Sequence, residues 1–415
     1  MTNNGWLISV DDHVIEPPDL WTKRVSSRYR DEAPRVVTDD NGGEAWLING
    51  DLVPVYGLMT AAGRPRELVG PEPVPYSEMP PAYYDSAARV EVLNTDRVLA
   101  SLCFPSVPRF CGQIFSESAD RGLGLECLRV YNDWQIDEWA GAAPGRYIPV
   151  MAIPLWDRDL AVAEIKRCAD KGVKALLFPE NPVPLGYPSL FSKDGFWDPV
   201  LAAAQDADLP LCSHIGSSSN VMRTAPDAPM IMGNALAPMN ALFCCTDWIL
   251  SGTLSRFPDL KIVLSEGGIG WIPYILERLE FSYESQRSWA SKSDYSWDLG
   301  DDAVLSPDKA AGVVAIDRGL ATLDLDLSPH DVFREHLYGC FIDDEYGSAN
   351  LDAVGIDNVM VETDYPHTDS RYPDSMDVLM KQLSGRSEDE IDKILVGNAR
   401  RVFNLDTTSY PIPNV

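Results

Sequence analysis

Along the chain, short unbroken apolar runs alternate with segments whose apolar residues recur at helical spacing. Apolar runs bounded by polar or turn residues are the pattern of strands covered on both faces. Eight such strands are predicted, at 6–12 (WLISVDD), 97–104 (RVLASLCF), 146–154 (RYIPVMAIP), 173–179 (VKALLFP), 209–214 (LPLCSH), 261–266 (KIVLSE), 336–342 (HLYGCFI) and 358–364 (NVMVETD). Between several of them, 160–172, 197–208 and 375–383 read as amphipathic helices, the first ended by Gly172. Eight strands with intervening helices predict an α/β fold, a (β/α)8 TIM barrel spanning 1–415 as a single domain. Its active site is expected at the C-terminal ends of the strands.

Two regions exceed a minimal barrel. Residues 35–86 contain short alternating runs around Gly-Gly and Asn-Gly, then a proline-rich stretch. They predict a β-hairpin and extended loop inserted after strand one. Residues 281–330, rich in Ser, Asp and Ala, predict a second insertion, between strands six and seven. Loops of this length in a compact domain serve as lids or oligomer contacts, and a homodimer is expected.

Composition narrows the function more than the fold. Net charge is −29, from 34 basic against 63 acidic side chains, so nucleic acid and anionic membranes are disfavoured partners. The N-terminal MTNNGWLISVDDH lacks the pattern of an export signal, and no run approaches a membrane span. The expectation is a cytoplasmic protein whose eight scattered cysteines are free, buried thiols.

The polar residues at strand ends carry the candidate chemistry. Strand one supplies Asp11, Asp12 and His13, strand five His214, strand six Glu266, and strand eight Asp364, followed by His367. Singly, each has an ordinary role, a histidine in the core or an aspartate capping the next helix. A barrel, however, brings these ends around one mouth. Asp-x-His on a strand also directs Asp11 and His13 to one face and Asp12 to the other. Two imidazoles and several carboxylates suit a divalent first-row metal.

The motifs ISVDDHVIEPPDLW, LPLCSHIG, SEGGIGWIPYILERLE and ETDYPHTDSRYP, in this order and spacing, resemble the amidohydrolase-related family. That family includes aminocarboxymuconate-semialdehyde and resorcylate-type decarboxylases. The resemblance implies a metal-dependent hydrolase or non-oxidative decarboxylase acting on a small or medium organic acid. It implies a divalent ion (Zn, Mn or Fe) held by Asp11, His13, His214 and Asp364, with Asp364 also moving protons. Many members place a histidine where this chain has Glu266.

Glu266 therefore has three readings: a structural carboxylate of the Gly267-Gly268 turn, a general base, or a further metal ligand. As a ligand, with His336 or His367 in reserve, it provides enough donors for two ions, and the alternative is then a dinuclear non-haem iron monooxygenase. Asp364, Glu266 and His367 are the candidate catalytic residues. Arg109, Trp271 and Tyr372 are candidates for substrate contact, with Arg371 on the same loop as Tyr372. Asp343–Glu345 emerges at the catalytic face as a solvated acidic run.

Overall fold

The structure is a computed structural model describing residues 5–38, 43–192, 194–220, 222–290 and 328–412. Its strands are β1 (Leu7–Val14), β2 (Arg35–Thr38), β3 (Glu44–Ile48), β4 (Asp51–Val53), β5 (Val98–Pro105) and β6 (Tyr147–Ile148). They continue with β7 (Val150–Met151), β8 (Ala175–Leu177), β9 (Leu211–His214), β10 (Ile262–Ser265), β11 (Leu337–Phe341) and β12 (Val359–Val361).

Nine strands form one sheet in the order β6-β5-β1-β12-β11-β10-β9-β8-β7, and every pairing is parallel. The strands at the two ends of this order, β6 and β7, are separated in the chain by Pro149 alone. Proline has no N–H to give the ladder, so β6 and β7 are two halves of one interrupted strand. The first half pairs with β5 and the second with β8. The sheet thereby closes into an eight-stranded barrel, with each predicted strand in place. All of its strands are buried along their length, as expected when helices cover the outside and side chains fill the inside.

The predicted helices occur at Arg158–Ala169, Asp198–Asp206 and Ser375–Gln382. The first is capped by the Asp157 carboxylate, which accepts from the Asp159 and Leu160 N–H groups. Beyond its end, Gly172 adopts φ +87°.

The first insertion contains one strand more than a hairpin: β2, β3 and β4 form an antiparallel meander. Asn49 and Gly50, both at positive φ (54° and 91°), make the tight turn between β3 and β4. Trp46 of β3 packs edge-on against Trp21, ring centroids 5.1 Å apart, and donates to the Tyr76 hydroxyl at 3.0 Å. Tyr76 in turn donates to the Glu16 carbonyl, at 2.6 Å. The insertion is thus clamped to the chain just beyond β1. Of the second insertion, the helix Ile272–Ala290 and the start of Pro329–His336 are seen; residues 291–327 lie outside the described residues. Among the described residues, no helix is long and apolar enough to cross a membrane. All eight cysteines are free and buried.

Candidate metal centre

The parallel strands deliver the predicted residues to one rim. The Asp364 N–H bonds the Asp11 carbonyl at 2.9 Å and the His13 N–H bonds the Tyr365 carbonyl at 2.7 Å, which locks the end of strand eight to strand one. Across the barrel, Ser265 is in register with His214, so Glu266 emerges one residue beyond it.

The side chains converge. His13 Nε2 lies 3.5 Å from Asp11 Oδ1, 3.3 Å from Asp364 Oδ1 and 3.1 Å from His214 Nε2. His214 Nε2 lies 3.5 Å from Asp11 Oδ2 and 3.2 Å from Glu266 Oε2. His367 stacks on His13, centroids 3.7 Å apart, with its Nδ1 3.0 Å from Asp364 Oδ1. Asp12 points away as its position requires, accepting from Ser101, Thr363 and the Tyr365 N–H.

The chemistry of these atoms fits a cation. His214 Nδ1 is 2.5 Å from the Ile215 carbonyl, which can only accept, so Nδ1 carries the hydrogen and Nε2 offers a lone pair. That lone pair faces a second imidazole nitrogen and two carboxylates. Both oxygens of Asp11 and both of Asp364 are buried without a hydrogen-bond partner, a costly state for carboxylates unless a cation compensates. Two groups have ligand atoms within reach of a common ion: Asp11, His13 and His214, and His13, Asp364 and His367.

Without a cation, burial disfavours every charge in the cluster. It raises Asp11, whose shift is increased by Glu362, Glu266 and Asp364, and it raises Glu266 and Asp364 well above the usual carboxylate range. It also pushes His13 well down, His214 down to about 3 and His367 to about 4. These shifts favour the neutral imidazole, the form in which histidine ligates a metal.

Glu266 and Asp364 share a further property: both are non-glycine residues in the left-handed region, at φ 56° and 47°. Strained backbone of this kind is held in place only by its surroundings and concentrates at functional sites. The glycines after Glu266 have local reasons. A Cβ on Gly267 would sit 2.5 Å from the Ala241 Cβ, and Gly268 has φ +61°.

Beside the cluster is a cavity of about 350 Å³, lined by Glu266, Trp271, Phe341, Glu362, Asp369 and Arg371 among others. The Glu266 side chain keeps 20% exposure. Trp271 lines the cavity and donates to the Gly267 carbonyl at 2.7 Å. Arg371 lies 3.2 Å from Asp343.

The other sequence candidates fall elsewhere. Arg109 turns outward to pair with Glu117, whereas its neighbour Phe110 stacks on His214, centroids 4.1 Å apart. Tyr372 packs edge-on against Tyr365, outside the ligand cluster. His336 ends the helix that precedes β11, its Nδ1 bonded to the Leu260 carbonyl at 2.9 Å, at the opposite end of the barrel from Asp11, His13 and His214. Asp344, expected in a solvated run, instead accepts from the Ile269, Gly270 and Gly347 N–H groups and fixes the turn after Glu266.

Among the buried carboxylates that escaped the sequence reading, three brace the loops around the barrel mouth. Glu16 accepts from the Ser106 and Val107 N–H groups and shapes the loop that carries Phe110. Glu180 accepts from the Gly216 and Ser218 N–H groups and braces the loop after His214. Glu362 bonds the Glu266 N–H. Glu362 had a legible signal, an acid directly after the apolar run of β12, the same cue that singled out Glu266.

A closed parallel barrel with buried histidines and unpaired carboxylates at its C-terminal mouth defines a metal-dependent (β/α)8 enzyme. The family model described as Amidohydrolase matches residues 73–405, and the chain belongs to that family. The curated gamma-resorcylate decarboxylase of Rhizobium sp. (strain MTP-10005) is 25% identical over 297 residues, 69% of this chain and 79% of that protein. Among solved structures, 5-carboxyvanillate decarboxylase from Sphingomonas paucimobilis superposes with a TM-score of 0.62 at 19% identity, over 97% of this chain and 99% of that one. A dihydroxybenzoic acid decarboxylase from Polaromonas sp. JS666, with bound manganese and the inhibitor 2-nitroresorcinol, gives a TM-score of 0.53 at 20% identity, over 80% and 91% of the two chains. At these identities the structural matches speak for the fold.

Proposed function

We propose that the chain is a divalent-metal-dependent enzyme that removes carbon dioxide from, or hydrolyses, a small organic acid. Non-oxidative decarboxylation of a hydroxybenzoate-type acid is the reaction to test first. The observation that carries this reading is the buried set of unpartnered Asp11 and Asp364 oxygens facing His13 and His214. Asp11, His13, His214, Glu266 and Asp364 are the proposed ligands. A divalent ion bound there supplies Lewis acidity toward a substrate oxygen or water.

The chain's own groups perform the rest. His214 is fixed in one tautomer by the Ile215 carbonyl. Phe110 covers its ring and keeps water from that side. Trp271 and Arg371 line the cavity where the substrate sits, Trp271 against a flat apolar face and Arg371 toward an anionic group. Replacing a carboxylate by hydrogen requires a proton delivered to carbon. Asp364 is the group proposed to deliver it, supported by the proximity of His367, whose Nδ1 is 3.0 Å from Oδ1. In hydrolysis the same pair would take the proton of the attacking water.

The test is metal analysis of the purified protein, followed by manganese, zinc or iron(II) reconstitution and a panel of hydroxybenzoates with carbon dioxide release as readout. Metal-dependent release supports the proposal; a protein that retains no divalent ion and whose turnover no ion affects overturns it. A dinuclear iron monooxygenase is the second reading, favoured by the second ligand group, His13, Asp364 and His367. It requires about two irons per chain and oxygen-dependent turnover.

A further inference from the structure

Glu362 is 2% exposed, lines the same cavity as Glu266 and has no part in the scheme above. Its contacts explain how Glu266 is held. The β10–β11 ladder ends at Leu264 opposite Gly339, and Glu266 then turns into the left-handed region, so its N–H is taken by a side chain. Glu362 Oε2 receives that N–H at 3.1 Å. The same oxygen receives the Cys340 thiol at 2.5 Å. Cys340 lies on β11, the strand between β10 and β12.

One carboxylate therefore ties together the ends of three adjacent strands. What it fixes is the backbone of the residue whose Oε2 lies 3.2 Å from His214 Nε2. A left-handed glutamate is not self-supporting, since its backbone conformation is strained and must be held by its surroundings. Among the described residues, Glu362 is the side chain seen bonding the Glu266 N–H.

We infer that Glu362 is a positioning residue: by accepting the Glu266 N–H it holds the Glu266 carboxylate against His214 and so sets the geometry of the metal-facing donors. The inference rests on the metal-dependent reading only for its affinity arm. The backbone arm stands apart from it.

The experiment compares wild type, Glu362→Gln, Glu362→Met, Glu266→Gln and the Glu362→Met/Glu266→Gln double variant. It reads amide hydrogen exchange at Glu266, manganese affinity by calorimetry, and melting temperature as a check on folding. Glutamine keeps an oxygen that can accept the same N–H, so exchange and affinity stay within about twofold of wild type. In Glu362→Met the Glu266 amide exchanges about tenfold faster or more, and manganese binds about tenfold more weakly. The double variant loses no more affinity than Glu266→Gln alone, because Glu362 acts through Glu266. Unchanged exchange at Glu266 in Glu362→Met, or losses that multiply in the double variant, would overturn the inference. If Glu362→Met does not fold, Glu362→Gln decides: retained protection supports the inference, and fast exchange in a folded protein sinks it. A wild type that binds no manganese while exchange follows the expected order removes the metal reading and leaves the positioning role standing.

Discussion

His13 and His214 present their Nε2 atoms to each other at 3.1 Å in the floor of the barrel mouth. Because His214 spends its one hydrogen on the Ile215 carbonyl, its Nε2 faces His13 as a lone pair, with Asp11, Glu266 and Asp364 around the pair. Electron-rich atoms crowded in this way are stable when a cation lies among them.

Removing His214 should therefore remove the ion. His214→Asn is expected to lower divalent-metal affinity by more than ~100-fold, beyond what loss of a supporting outer residue costs, and to abolish metal-dependent turnover. Metal content after gel filtration is the measurement, and full retention by the variant would refute the ligand assignment.

Metal and stability should be linked. Manganese at one hundred times its dissociation constant is expected to stabilise the fold by about 2.7 kcal/mol relative to chelator-treated protein. Urea denaturation with and without the ion checks this; identical midpoints would contradict a native-state site.

Glu16 predicts a pH dependence. Burial pushes its carboxyl from 4.5 up to about 8, although the Ser106 and Val107 N–H groups partly stabilise the anion. A group whose pKa is higher in the folded state binds its proton more tightly there. Its contribution is complete below about pH 4.5 and is lost as pH rises to about 8. The slope it adds is at most about 1.4 kcal/mol per pH unit. Glu16→Gln should flatten the fall in stability across that window, whatever its effect at a single pH. Parallel curves for wild type and variant would count against it.

Arg89 tests the frame around the site. It is fully buried, donates to the Ala82 carbonyl at 2.6 Å and to the His13 carbonyl at 2.8 Å, and lies over the Tyr365 ring at 4.4 Å. Arg89→Met deletes two charge-assisted bonds and a cation near buried Asp12, and should destabilise by about 3 kcal/mol or more. Chemical denaturation checks this, and a loss under ~1 kcal/mol would show that the bonds contribute little.

The sequence by itself determined the element order and the strand-end positions of Asp11, His13, His214, Glu266 and Asp364. Uninterrupted apolar runs mark strands buried on both faces, and period two separates Asp11 and His13 from Asp12, both of which are local properties of the chain. It also marked Glu266, as an acid at the end of such a run. Tertiary structure decided what local pattern cannot carry. Closure of the barrel depends on β5 and β8 capturing the two halves of the strand broken at Pro149. The outward turn of Arg109 and the inward turn of Phe110 depend on a backbone conformation at 109 (φ 61°) that no periodicity predicts. Glu16, Glu180 and Glu362 acquire meaning only through N–H groups of residues distant in sequence: 106 and 107, 216 and 218, and 266. A buried carboxylate is tolerated where donors meet it, and which donors do so is settled only when the strands have paired.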